Sequence, residues 1–248
     1  MSLVDIKIDA GLLRVSLNRP EKRNALSGEL IGQLEAVFSQ ASRNEDLRVV
    51  VLSGAGPSFS AGADLAEMAK LNPTAAAQFI RALHRAIHAV MHCPVPVIAA
   101  IRGGCFGGAL ELAAGCDLRI ATNDARFGMP EVKVGIPSVI EAALLPRLIG
   151  RGRAAWMVLT GETITATTAE KWGLVEGLAE PAELQDGAMA LARSILAADP
   201  AAIRAQKWLM RVWDAAPLDQ AIEVSVPLFA KSFEGGIPNK LMAGYLRK

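Results

Sequence analysis

Apolar and polar residues alternate from Val4 to Ile8 and again from Leu12 to Leu17, with Asp9-Ala10-Gly11 between them. That two-residue period around a turn predicts a β-hairpin. Asn18 to Asn24 breaks the pattern as a polar loop, after which Leu30, Ile31, Leu34, Val37 and Phe38 recur at helical spacing behind Ser27, a residue suited to cap a helix. Val49 to Leu52 is a continuous apolar run of the kind found in a strand buried on both faces, and Gly54-Ala-Gly-Pro57 closes it. A second helix is predicted from about Thr74 to His92, ending at Cys93-Pro-Val-Pro96, and a strand from Val95 to Ile101. A turn rich in glycine (Gly103, Gly104, Gly107, Gly108) then leads into a short helix, Ala109 to Ala114, and a strand, Leu118 to Ala121.

From Ala142 onward nearly every period is helical, with breaks at Gly150, Gly161, Gly173, Pro200 and Pro217. The predicted organisation is therefore an α/β chain with a β-rich core over residues 1–180 and a helical region over 181–248. In the helical region Trp208, Met210, Trp213, Phe229 and Phe233 fall at helical spacing, which suits either packing on the chain's own core or association with other subunits.

Composition narrows the classes. The 248 residues are 52% hydrophobic and 21% charged, enough apolar material for a large core and too little charge for a disordered chain. A net charge of +1 provides no global field for nucleic acid or an anionic membrane, so any polyanion must meet a local patch. No apolar run approaches the ~20 residues that span a bilayer. The first residues carry neither a secretory leader nor the Arg- and Ser-rich pattern of a mitochondrial presequence, so a cytoplasmic location is expected. Cys93, Cys105 and Cys116 match neither a disulfide framework nor a zinc pair and are expected to be reduced core thiols.

The strand, glycine turn and helix from Val97 to Glu111 resemble a nucleotide-binding turn only at first sight. The G-x-G-x-x-G spacing is absent, and no Gly-Lys-Ser/Thr occurs in the chain. What remains is close backbone approach by a ligand and N–H groups free to meet negative charge, including charge that develops during a reaction. Gly107 and Gly108 can supply one such donor, and the small-residue turn Phe59-Ser-Ala-Gly-Ala-Asp64 another. Glu111 lies in an otherwise apolar helix, and Glu131 follows Pro130. Two carboxyls in an apolar cavity can divide acid and base roles, because burial and mutual repulsion separate their proton affinities. His84, His88 and His92 share one helix face, but without a neighbouring acidic ligand they read as a polar stripe, and no metal site is expected.

Four segments together resemble the enoyl-CoA hydratase/isomerase (crotonase) superfamily: Asn18-Arg-Pro-Glu-Lys-Arg-Asn-Ala-Leu-Ser27, Phe59-Ser-Ala-Gly-Ala-Asp-Leu65, Gly107-Gly-Ala-Leu-Glu-Leu-Ala-Ala-Gly-Cys-Asp117 and Phe127-Gly-Met-Pro-Glu-Val132. Leu145 to Gly150, Leu159-Thr-Gly161 and Ala169 to Val175 extend the likeness along nearly the whole chain. The resemblance implies a spiral of ββα units followed by C-terminal helices that build homotrimers, commonly stacked as dimers of trimers. It implies an acyl-CoA thioester as substrate, with no cofactor apart from the coenzyme A that belongs to that substrate. The N–H groups of Ala61 and Gly108 are implied as the oxyanion hole, Glu111 as the base on water, and Glu131 as the group exchanging the C2 proton. Lys22, Arg23, Ala25, Ala61, Ala63, Asp64 and Leu65 are implied as contacts to the CoA moiety.

Two departures from the family pattern stand out. Arg102 replaces the usual asparagine at the strand–turn corner, and Ile136-Pro-Ser-Val-Ile-Glu141 replaces a glycine-rich segment. Ser138, Val139, Ile140 and Glu141 are expected to line the acyl end, with Glu141 a rival to Glu131. The expected reaction is hydration of a trans-2-enoyl-CoA, a hydro-lyase step in lipid metabolism. The alternatives are a Δ3,Δ2-enoyl-CoA isomerase and a non-catalytic CoA- or RNA-binding scaffold.

Overall fold

The computed structural model describes residues 2–246. The hairpin forms as the alternation predicts, with β1 (Val4–Asp9) antiparallel to β2 (Leu12–Leu17). Only Val4 of β1 is buried, while Ile6 and Ile8 remain 52% and 58% exposed, because β1 is an edge strand. Ser27 caps α1 (Gly28–Ala41) by accepting from the Leu30 N–H at 3.2 Å. After β3 (Val49–Gly54) come α2 (Leu65–Met68) and α3 (Pro73–Met91), capped by Asp64 and Asn72. β4 (Val97–Ile101), β5 (Gly104–Phe106) and α4 (Gly108–Ala114) follow, then β6 (Leu118–Thr122) and β7 (Arg126–Gly128). The remainder is α5 (Leu145–Ile149), α6 (Arg151–Thr160), β8 (Thr163–Thr165), α7 (Ala166–Trp172), β9 (Gly177–Ala179), α8 (Leu184–Leu196), α9 (Pro200–Ala215), α10 (Leu218–Ser232) and α11 (Ile237–Tyr245).

The strands form a six-stranded sheet ordered β1-β2-β3-β4-β6-β9, parallel except for the first pair, and a three-stranded sheet ordered β5-β7-β8. Each turn of the chain lays one strand in the large sheet and a shorter piece beside the small one. β4 is followed by β5, β6 by β7, and β3 by Ser60, which bridges to Cys105 of β5. That repeated step builds the spiral.

The main core lies between the large sheet and α1, α3 and α4. A second layer covers the other face of the sheet, where Leu184, Ala188 and Ala192 of α8 pack on Val49, Val51, Ile98 and Ile120. The strands do end near residue 180, but α8 belongs to this core, so the helical appendage begins at α9. Trp208, Met210, Trp213, Phe229 and Phe233 are each at least 37% exposed and do not fill the chain's own core. Cys93, Cys105 and Cys116 are free and buried, and burial pushes the Cys116 thiol up to about 12. Among the described residues no helix is long and apolar enough to cross a membrane, and no group of three His, Cys, Asp or Glu residues is placed to hold a metal ion.

Candidate active site

Asn24 joins the polar loop to the turn after β3. It holds a left-handed φ of 53°, and its buried amide donates to the carbonyls of Ala55, Ser58 and Phe59. The Ser60 hydroxyl returns a bond to the Asn24 carbonyl at 2.7 Å. This brings Lys22 and Arg23, both exposed, and the half-buried Ala25 alongside Ala61 to Leu65. Asp64 is not free to meet a ligand with its carboxylate, which caps α2 and pairs with Arg19 at 2.6 Å. The hydrogen bond from that guanidinium holds the carboxyl below its ordinary range. Leu65 is 60% exposed.

The N–H left free in this turn is not that of Ala61. The Ala61 N–H donates to the Arg23 carbonyl at 2.9 Å and so cannot serve a ligand. Gly62 and Asp64 both bond to Leu26, the Gly62 carbonyl accepting from its N–H at 2.8 Å and the Asp64 N–H donating to its carbonyl at 3.1 Å. In extended backbone the residue between two such bonds points the other way. The Ala63 N–H therefore faces away from Leu26, and neither it nor the Gly108 N–H has an acceptor among the described residues. The two turns lie together: a Cβ built on Gly62 would stand 3.7 Å from the Gly108 nitrogen and only 2.5 Å from the Phe106 carbonyl oxygen, so the close approach requires glycine there.

Both turns open on a cavity of about 270 Å³. Glu111 and Glu131 reach the same cavity from α4 and from the 3-10 turn Pro130–Val134. Every residue of α4 is buried, Glu111 included, and burial with the charges of Glu131 and Glu141 pushes its carboxyl up to about 8. Burial also raises Glu131, opposed by the Ser138 hydroxyl, which donates to Glu131 Oε2 at 3.0 Å.

Of the four residues expected at the acyl end, only Val139 lines this cavity. Ser138 is turned to Glu131, and Ile140 faces a neighbouring hollow of about 670 Å³ that shares Pro137 and Val139 with the first. Glu141 is buried with Oε1 2.6 Å from His84 Nδ1, so it is not a rival to Glu131 in the cavity. The apolar wall comes instead from Leu65 and Met68, from Phe79, Ile80 and Leu83 of α3, and from Val134 and Ile136. In the sequence those α3 positions look like any core-facing stripe, and nothing marks them as ligand-facing. Arg102 donates to the Pro181 carbonyl and so ties the strand–turn corner to the segment after β9.

Comparison with known proteins agrees with this architecture. The sequence pattern of the enoyl-CoA hydratase/isomerase family matches residues 7–247. The short-chain-enoyl-CoA hydratase of Clostridium acetobutylicum is 33% identical over 236 residues, covering 94% of this chain and 90% of that protein. The (E)-benzylidenesuccinyl-CoA hydratase of Thauera aromatica is 37% identical over 88% of this chain and 86% of its own. Among solved structures, the enoyl-CoA hydratase of Mycobacterium smegmatis superposes with a TM-score of 0.96 at 30% identity, covering 100% of this chain and 97% of that one. A spiral core, a glycine turn and a pattern matched almost from end to end make this chain a member of the enoyl-CoA hydratase/isomerase family.

Proposed function

We propose that the protein adds water across the 2,3-double bond of a trans-2-enoyl-CoA thioester. The observation that carries this reading is the convergence of two carboxyls, Glu111 and Glu131, and two unpartnered N–H groups, Ala63 and Gly108, on one largely apolar cavity. The thioester carbonyl oxygen accepts from both N–H groups, which meet the negative charge that grows there as the C1–C2 enolate forms. Each such donor is typically worth about 10²–10³ in rate. Glu111 takes a proton from the water that attacks C3, and Glu131 delivers one to C2. Both carboxyls are raised by burial, and two coupled carboxyls on one cavity can divide the acid and base roles between them.

Lys22, Arg23 and Ala25 with the turn Ala61 to Leu65 form the entrance at which the CoA moiety binds, Asp64 acting there through the helix cap it makes. These groups account for every proton and charge in the reaction without a further cofactor. An isomerase needs only one carboxyl to shuttle a proton between C4 and C2, and two carboxyls on the cavity favour hydration. The exposed apolar side chains of α9 and α10 are the surface we assign to homotrimer assembly.

Incubation with crotonyl-CoA tests the reading. Absorbance of the conjugated thioester falls if water is added, and Glu111→Gln and Glu131→Gln each lower kcat by about 10²–10⁴ with CoA binding nearly intact. No absorbance change with crotonyl-CoA, together with a rise on a 3-enoyl-CoA, replaces hydratase by isomerase. Full activity in Glu131→Gln removes that residue from the mechanism.

A further inference from the structure

α3 contributes to the cavity wall from the section of helix that the core holds least. No residue over 73–82 is buried, Phe79 and Ile80 reach the cavity half-buried, and Leu83 is the first residue of the helix to be fully enclosed. His84 follows at that point, one helical turn beyond Ile80 and on the same face. Its Nδ1 lies 2.6 Å from Oε1 of Glu141. Glu141 belongs to another part of the same wall, where Ile136, Pro137 and Val139 line the cavity. The Val139 carbonyl accepts from the Ala142 N–H at 3.0 Å, closing a tight turn around Ile140 and Glu141. Within that turn Ile140, a β-branched residue, is held at a φ of +41°, a strain that persists only where the surroundings fix it. The His84–Glu141 contact therefore joins two segments that line one cavity.

Stability does not account for this pair. The Glu141 side chain is 7% exposed, and its Oε2 is buried with no hydrogen-bond partner among the described residues, a cost to folding that an apolar side chain of similar size would avoid. We propose that the His84–Glu141 bond is a specificity-determining clasp. It fixes how far the loosely held section of α3 stands from the 136–139 segment, and so restricts the acyl group of the substrate to narrow, unbranched chains. The inference rests on the proposed function in that an enoyl group fills this cavity. Neither residue lines the cavity, and both are positioning residues that act through Ile80 on one side and Val139 on the other.

Steady-state hydration of crotonyl-CoA and of cinnamoyl-CoA, whose phenyl ring is wider than an alkyl chain, tests this in the full-length protein, Glu141→Leu, His84→Ala and Glu141→Gln. Glu141→Leu and His84→Ala break the bond. Each should lose about tenfold in kcat/KM for crotonyl-CoA, mainly through KM, and hold or gain for cinnamoyl-CoA, so that the ratio between the two substrates moves by about tenfold or more. Glu141→Gln, whose amide oxygen can still accept from His84, should keep the parent ratio. A merely structural role lowers the folded fraction, which reduces the apparent kcat for both substrates by one factor and leaves KM and the ratio unchanged. The clasp is overturned by that result, by a parent ratio in both Glu141→Leu and His84→Ala, or by a shift in Glu141→Gln as large as that in Glu141→Leu. If Glu141→Leu does not fold, His84→Ala decides alone, since the His84 side chain is 48% exposed and its removal admits water to Glu141. A parent protein that hydrates neither thioester overturns the proposed function, whereas an active parent with unmoved ratios in its variants overturns only the clasp.

Discussion

Replacing Gly107 by alanine presses directly on Glu131. Gly107 holds φ +53° and ψ −127°, a conformation open almost only to glycine. Strain of this kind costs about 1–3 kcal/mol. For a chain of this size that lowers Tm by about 2–12 °C. The added Cβ would also stand 2.5 Å from Glu131 Oε1, where ordinary contact begins at 3.4 Å, so the carboxyl must retreat by about 0.9 Å. A displacement of that size at a reacting group is worth up to about 10² in rate. Gly150→Ala is the control, since Gly150 has φ +81° and ψ 152° with nothing within 4 Å of the added atom. Thermal melting and crotonyl-CoA kinetics should show both variants destabilised, and only Gly107→Ala with kcat reduced about 100-fold. If Gly107→Ala is folded and within twofold of the parent kcat, the position of Glu131 does not govern the reaction.

Glu111→Gln should change how stability depends on pH. The carboxyl sits near 4.5 when unfolded and about 8 when folded, so between those values only the folded chain keeps the proton and stability falls as pH rises. The glutamine variant lacks this loss, and its Tm should gain on the parent from pH 5 to pH 8. Lys207→Met removes the ammonium that donates to Asp117 at 2.6 Å and to the Val95 carbonyl at 2.9 Å. With Asp117 partly exposed, the cost is at the low end for such pairs, about 3 kcal/mol, read as a Tm drop with kcat per folded molecule unchanged. Val139→Gly should join the cavity to the adjacent hollow and raise kcat/KM for longer enoyl-CoAs relative to crotonyl-CoA, by about 1–3 kcal/mol for each methylene accommodated. Ile140→Gly should leave that profile alone, and the reverse pattern would move the chain-length determinant to Ile140.

Elements whose cause is local were legible in the sequence. The β1–β2 alternation, the Ser27 cap and the unbroken apolar run of β3 each depend on neighbours within a few residues. The strands missed, β5, β7, β8 and β9, have three residues each and are held by pairing across the fold, with no period of their own. Glu111 and Glu131 stood out because a carboxyl in an apolar stretch is chemically conspicuous. Which amide is free did not, because Ala61 is occupied by the carbonyl of Arg23 and Ala63 is turned outward by Leu26, partners far away in the chain. Glu141 looked like a cavity residue for the same reason. Its partner His84 comes from α3, and sequence spacing carries no information about that meeting.

The cavity has two unlike walls. One is α4, seven residues all buried and enclosed by the sheet and α3, where a change in any side chain disturbs the core. The other is assembled from α2, only four residues long with none buried, and from the rim of α3 and the loop through Val134 and Ile136. Substitutions at Leu65, Met68, Val134 or Ile136 therefore alter shape with little disturbance beneath them, whereas Phe79 and Ile80 also pack on the core. Libraries built to change acyl preference belong on that second wall, where new substrate scope is open to the chain while its reacting groups stay fixed.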